Sequence, residues 1–187
     1  MGYYGNETME LSNRKSEKIF ELETRKKIYD IVAKNAGCHF REIERRTKFP
    51  YGTLKYHLNF LVKHGLLVEK SDDNKVRYFS REIKSEDFEI LSLLRQRNIR
   101  NIILFLLSQK ECTHSEISSF VRISPGTVSW YLNRLIKKGI IGKNANHKSV
   151  YYLLYPREEI MRLVISFRES FFDSLVDKVI EMWDLNK

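Results

Sequence analysis

The sequence predicts a mainly α-helical fold with small β-hairpins (α+β), arranged as two similar domains followed by a C-terminal helix. Residues 50–67 and 124–141 are near copies of each other, and they align without a gap at a constant offset of 74 residues. Each copy carries helical apolar spacing followed by two short alternating stretches typical of strands. A last segment, residues 157–184, contains neither Gly nor Pro and repeats apolar residues at helical spacing.

The repeat sets the predicted domain boundaries. A single duplication is too few copies for a stacked repeat array, so we expect two small domains at residues 15–82 and 83–155. Residues 1–14 have little periodicity and are expected to be a flexible N-terminus. Residues 83–107 are expected to form a long connecting helix, and residues 156–187 a C-terminal helix.

Two helices are predicted at the start of each copy. In the first copy, apolar spacing over residues 15–35 predicts a long helix, and residues 40–47 predict a short one. In the second copy, Thr113 and Glu116 have the spacing of a capping box, which marks the start of the equivalent short helix.

The third helix of each copy is the most strongly patterned element. Ser124 is a natural N-cap, Pro125 suits the first helical position, and Gly139 suits the residue that ends the helix. The predicted buried residues are Leu54, Leu58 and Leu61 in the first copy and Val128, Leu132 and Leu135 in the second. The opposite faces are expected to be exposed: Gly52, Lys55, Tyr56, Asn59 and Lys63, and Gly126, Ser129, Trp130, Asn133 and Lys137.

A β-hairpin is predicted after each third helix. The strands are expected at residues 66–70 and 76–80 in the first copy, with Val76 and Tyr78 on one face, and at residues 140–143 and 149–154 in the second. Three helices followed by a two-stranded wing is the element order of a winged helix-turn-helix domain.

The residues also resemble a known family. GCHFREIERRTKFPYGTLKYHLNFLVKHGLL and ISPGTVSWYLNRLIKKGII are similar to archaeal winged helix-turn-helix transcription regulators related to the MarR and ArsR groups. The resemblance covers about residues 20–155 and implies that Tyr51–Lys63 and Pro125–Lys138 are recognition helices. Lys48 and Arg122 depart from it, because the turn between the helices often has glycine. This turn must therefore accept a non-glycine conformation or differ in shape.

The charge distribution favours a nucleic-acid partner. The net charge is +9, with +5 over residues 20–80 and +8 over residues 93–155, while the remaining segments are neutral or acidic. A surplus of cations confined to the repeated unit indicates that this unit binds a polyanion.

The candidate DNA contacts fall into three groups. Asn59 and Asn133 could each bind adenine, Lys55 could bind guanine, and Tyr56, Thr127 and Trp130 could contact thymine methyl groups. The expected phosphate contacts are Arg41, Arg45, Lys63, Lys75, Arg77, Arg134, Lys137 and Lys148. The candidate interface is completed by Tyr51, Gly52, Thr53, Ser124, Gly126 and Ser129.

Alternatives remain open for these residues. Tyr56 and Trp130 could pack against a neighbouring domain, and Asn59 and Asn133 could be ordinary solvated surface. His57 is interpreted as a partly buried helix residue.

Enzyme, metal and membrane functions are not indicated. The sequence has no glycine-rich phosphate loop, nucleophile elbow or metal-binding helix motif, so no enzyme activity and no cofactor are expected. Cys38 and Cys112 occupy equivalent positions and are expected to be buried thiols, and the paired-cysteine metal motif of some ArsR-type sensors is absent. No signal peptide or membrane span is indicated, so a cytoplasmic location is expected.

The C-terminal segment predicts a broad apolar helix face. This helix could fold back on the second domain, but a homodimer is the favoured interpretation. The candidate dimerisation residues are Ile160, Val164, Phe167, Phe171, Leu175 and Val179.

We therefore expect a sequence-specific, double-stranded-DNA-binding transcription regulator that uses two winged-helix domains and acts by blocking or recruiting transcription machinery. A tandem winged-helix scaffold that binds protein in a chromosome or transcription complex is the alternative. RNA or single-strand binding through the exposed aromatics is a third option.

Overall fold

The fold was analysed in a computed structural model that describes residues 23–72, 75–144, 149–171 and 173–184. The chain divides into two compact units, Met1–Phe88 and Glu89–Lys187, which we call the first and second domains. The predicted flexible N-terminus, the part of the predicted first helix before residue 23, and Lys148 lie outside the described residues.

The first domain has the predicted order of helices and wing. Its described elements are α1 (Glu23–Lys34), β1 (Cys38–His39), α2 (Phe40–Thr47), α3 (Tyr51–Lys63), β2 (Leu67–Asp72) and β3 (Lys75–Ser80), followed by α4 (Asp87–Leu94), in which the domain boundary falls. The strands β2 and β3 form the wing, and β3 lies between β1 and β2 in an antiparallel sheet.

The second domain repeats this order. Its elements are α5 (Arg97–Ser108), β4 (Cys112–Thr113), α6 (His114–Val121), α7 (Pro125–Lys137), β5 (Ile141–Asn144) and β6 (Val150–Leu153). The three helices and the first two strands each begin 74 residues after their counterparts in the first domain. The sheet has the same strand order, with β6 between β4 and β5. These elements confirm the predicted α+β winged helix-turn-helix architecture.

Residues 83–107 differ from the single connecting helix that the sequence predicts. Arg95 and Gln96 separate α4 from α5, and Gln96 is extended at φ −95° and ψ 109°. The separation has a packing reason. At the start of α4, Phe88 stacks on Phe79 of the first domain with ring centroids 4.3 Å apart, whereas α5 packs into the core of the second domain.

The C-terminal segment is also divided, and it folds back on its own domain. It forms α8 (Arg157–Ser166), α9 (Arg168–Phe171) and α10 (Ser174–Asp184), and α10 packs against α5 and α8. The guanidinium of Arg100 on α5 contacts Oδ2 of Asp173 at 2.6 Å, and both side chains are largely buried.

This packing corrects the interpretation of the six candidate dimerisation residues. Ile160, Val164, Phe171 and Val179 are buried within the chain itself, and Phe167 and Leu175 are half-buried. The apolar face that the sequence offers to a partner is therefore covered by α5 and its neighbours.

Both cysteines are buried thiols at equivalent positions, Cys38 in β1 and Cys112 in β4. Burial raises the pKa of Cys112 to about 11, and the nearby Glu116 carboxylate adds to this shift. Within the described ranges, His, Cys, Asp and Glu side chains form no cluster of three or more suited to a metal ion. No helix in that same part of the chain has the length and apolarity to cross a membrane.

Candidate nucleic-acid interface

The two third helices, α3 and α7, are fixed by the faces that the sequence predicts. Leu54, Leu58 and Leu61 of α3 and Val128, Leu132 and Leu135 of α7 are all buried. Because these residues recur along one side, the opposite side of each helix is directed towards solvent. Both helices end before a glycine in the left-handed conformation, Gly65 at φ +68° and Gly139 at φ +67°.

The helix starts are capped differently in the two domains. The Ser124 hydroxyl accepts a hydrogen bond from the Thr127 N–H at 3.3 Å, which confirms the predicted cap of α7. The residue before α3 is Pro50, and it makes no side-chain cap. Thr113 and Glu116 form the predicted capping box at the start of α6.

Sequence reasoning missed a cap in the first domain. Nδ1 of His39 accepts a hydrogen bond from the Glu42 N–H at 3.1 Å at the start of α2. Histidine therefore fills the place that Thr113 has in the second domain, 74 residues later.

The turn between the second and third helices accepts a non-glycine conformation in both domains. Lys48 has φ 59° and Arg122 has φ 54°, and both side chains are exposed. The left-handed conformation costs a residue with a Cβ about 1 to 2 kcal/mol relative to ordinary backbone. Both turns therefore place a solvent-exposed cation beside the start of the third helix, and sequence reasoning omitted these two residues from the candidate interface.

Most of the predicted contact residues lie together on the exposed side of each helix-turn-helix unit and its wing. Tyr56 is 61% exposed and Trp130 is 58% exposed, so most of each aromatic side chain faces solvent. The other exposed candidates are Arg41, Arg45, Tyr51, Gly52, Thr53, Lys55, Asn59, Lys63 and Lys75 in the first domain, and Ser124, Gly126, Thr127, Asn133 and Lys137 in the second.

Three predicted contacts occupy different environments. Arg77 is only 5% exposed, and its guanidinium donates to the Gly37 carbonyl at 2.8 Å, so it is not an outward phosphate contact. Arg134 is half-buried and donates to Oε1 of Gln96 at 2.7 Å. Ser129 is half-buried, with its hydroxyl 2.9 Å from Nε2 of His114.

These differences arise from partners that a local pattern does not encode. β3 is the central strand of its sheet, and the Arg77 side chain is buried there and donates to the Gly37 carbonyl. Ser129 on α7 lies next to α6, and His114 connects the two helices by contacting both Ser129 and Ser118.

His57, in the middle of α3, favours its neutral form. Desolvation lowers the pKa of the half-buried His57, and the Arg25 cation lowers it further. His57 is therefore neutral at physiological pH and adds no charge to the recognition face.

The comparisons with known proteins agree with this geometry. Residues 22–91 match a family described as an N-terminal HTH domain, and residues 95–141 match a family described as winged helix-turn-helix DNA-binding. An uncharacterised HTH-type transcriptional regulator of the archaeon Methanocaldococcus jannaschii is 30% identical over 139 residues. These residues are 73% of this chain and 35% of the relative, so the chain spans about a third of the relative's length.

Each domain thus combines a helix-turn-helix backbone, an exposed third helix and a hairpin wing, and neither matched domain family is a family of enzymes. The chain therefore carries two winged helix-turn-helix domains in tandem, and it is similar to a protein named as an HTH-type transcriptional regulator.

Proposed function

We propose that the chain is a sequence-specific regulator that reads double-stranded DNA with the recognition helices α3 and α7 of both domains. This proposal rests on one observation: the matched faces of α3 and α7 are both exposed. In each face, an aromatic residue, an asparagine and a lysine recur at the same register: Tyr56, Asn59 and Lys63, and Trp130, Asn133 and Lys137.

The chemistry of these faces suits the major groove of a duplex. An α-helix fits the groove, asparagine can bind adenine with two hydrogen bonds, and Lys or Arg side chains around the helix reach phosphates. Gly52 and Gly126 lie in the first turn of α3 and α7, and a Cβ at either position would meet no atom within 4 Å. Packing within the chain does not require glycine there, which supports a close approach of the helix to a partner.

In this proposal the bound chain acts in the cytoplasm by blocking or recruiting the transcription machinery. One chain carries two recognition helices, so two half-sites can be read without a second copy. Homodimerisation through the C-terminal helices is not part of the proposal, because their apolar residues are covered within the chain.

The test is selection from a randomised duplex pool, followed by titration of the recovered motif. The double variant Asn59→Ala/Asn133→Ala should lose about 1 to 3 kcal/mol of discrimination for each adenine contact. Gln109→Ala, which removes an exposed amide outside both helix-turn-helix units, is the matched control and should bind as the wild type does.

The same experiment decides against the proposal if no motif is recovered or if single strands compete as well as duplex. A protein-binding scaffold is the second candidate, and the exposure of Tyr56 and Trp130 favours it, since exposed aromatics are common anchors of protein interfaces. Negligible duplex binding at physiological salt would favour this scaffold.

A further inference from the structure

The two helix-turn-helix units differ in charge at matched positions. In the first domain, Arg41 and Arg45 lie one helical turn apart on α2, and Lys55 lies on α3. All three side chains are exposed. At an offset of 74 residues, the second domain has serine at each of these positions: Ser115, Ser119 and Ser129.

This difference is opposite to the one that net charge suggests. The second copy has the larger net charge, +8 over residues 93–155 against +5 over residues 20–80. Within the helix-turn-helix itself, however, residues 40–63 contain six Lys and Arg, whereas residues 114–137 contain three.

The discrepancy arises from the acidic residues, because residues 20–80 contain 13 Lys and Arg with 8 Asp and Glu, whereas residues 93–155 contain 10 with 2. Internal contacts further reduce the number of cations that the second domain presents. Arg100 pairs with Asp173, and the ammonium of Lys138 contacts Oε1 of Glu89 at 2.6 Å. Arg134 donates to Gln96, and Arg95 donates to the Ser170 carbonyl at 3.1 Å. Four cations of this copy therefore hold its own elements together rather than face a partner.

The first domain presents its cations around the recognition helix. Lys55, Asn59 and Lys63 are spaced four residues apart along the exposed side of α3, and Lys48 lies in the turn before it. Lys55 Nζ lies 5.7 Å from the centre of the exposed Tyr51 ring, one helical turn earlier on the same side of α3.

We propose that the helix-turn-helix of the first domain is the phosphate anchor of the chain, and that the second domain contributes few phosphate contacts. This inference rests on the proposed binding of duplex DNA. Phosphate contacts set affinity and its dependence on salt but carry no sequence information. The anchor therefore holds the chain on any duplex, and the less charged face of the second domain adds contacts that depend less on salt.

The test replaces the three cations of the anchor, in the full chain, with the serine that the second domain has at each matched position. The triple variant Arg41→Ser/Arg45→Ser/Lys55→Ser should lower the slope of log affinity against log salt by about 3, since each lost phosphate contact contributes about 0.9. In this proposal Lys55 contacts a phosphate and not the guanine that the sequence suggested. Affinity should therefore fall equally for all duplex sequences, and the motif selected from a random pool should stay unchanged.

A matched variant removes the same number of charges from the second domain. Arg122→Ser/Lys137→Ser/Lys143→Ser takes away exposed cations from its helix-turn-helix and wing. We expect this variant to change the salt slope by less than about 1. All six substitutions are at the surface, and circular dichroism melting curves should show both triple variants folded like the wild type.

The outcomes separate the two proposals. An equal or larger loss of slope in the second-domain triple, or an unchanged slope in the first-domain triple, overturns the anchor assignment while duplex binding itself stands. If the wild-type chain shows no salt-dependent duplex binding, the proposed function fails and the anchor fails with it.

Discussion

The helices α1 and α5 occupy the same place in their domains, yet one is covered on one side and the other on both. α1 buries only Ile28 and Val32, and its outer side carries exposed Lys26 and Asp30. In α5 the buried apolar residues are Ile99, Ile102, Ile103, Leu104, Leu106 and Leu107. The C-terminal helices cover the outer side of α5, so the second domain is built around an additional layer that the first does not have among its described residues.

This comparison shows how one winged-helix unit can be used in two ways. The outer face of its first helix either stays polar and solvated or becomes the base for further helices. Helix length and position do not separate these uses, because the two helices have the same length and the same offset from the helix-turn-helix.

The most direct test of this difference between α1 and α5 is to exchange one matched residue between the two helices. Leu104 is fully buried and corresponds to the exposed Asp30. We expect Leu104→Asp to prevent folding of the second domain, because it buries an unpaired charge. Asp30→Leu should change the free energy of unfolding by no more than about 0.5 kcal/mol, as surface substitutions usually do.

Amide hydrogen exchange mapped to each domain measures both variants in the same protein. Protection should disappear in the second domain of Leu104→Asp and remain in the first. If Leu104→Asp is as well protected as Asp30→Leu, the outer face of α5 is not covered and the comparison fails.

The next effect concerns the ion pair that joins α5 to the C-terminal segment. Asp173→Ala leaves the buried Arg100 without its carboxylate, and we expect a loss of about 3 kcal/mol in the stability of the second domain. Asp177 pairs with Arg168 at the surface, so Asp177→Ala should lose no more than about 1 kcal/mol. Urea unfolding measures the stability of both variants. Equal losses would show that the Arg100–Asp173 pair stabilises the second domain no more than a surface pair does.

The smallest effect should be the same in both domains. Gly65 and Gly139 have open space around a Cβ but positive φ, so alanine at either position should cost about 1 to 2 kcal/mol of unfolding free energy. Gly52→Ala is the control, because this helical glycine has ordinary φ and alanine should be neutral or stabilising by about 0.5 to 1 kcal/mol. Thermal melts that reverse this order would contradict the shared ending of α3 and α7.

The sequence was informative wherever a local pattern decides the structure. The caps at Ser124 and Thr113, the buried faces of both recognition helices and the presence of both wings follow from spacing and residue type. The strand boundaries shifted by one or two residues, because β-hairpin ends are set by pairing across the sheet.

Features that depend on distant partners were not predicted. The dimer interpretation treated the apolar C-terminal face in isolation, although the complementary face was present in α5, where Leu104 replaces Asp30 of the other copy. In β3, Val76 and Tyr78 were expected on one face, yet Val76 is 43% exposed and Tyr78 is buried, while the intervening Arg77 is buried against the Gly37 carbonyl. A position-by-position comparison of the two copies could have shown that the outer face of α5 is covered.

The burial of both native cysteines has a practical consequence for labelling. Thiol reagents attack the thiolate, and a pKa of about 11 leaves Cys112 almost entirely protonated at neutral pH. Cys38 is fully buried in the equivalent strand. A cysteine introduced on the exposed side of α3 or α7 should therefore take up a fluorophore or spin label selectively, with the two natural thiols left intact.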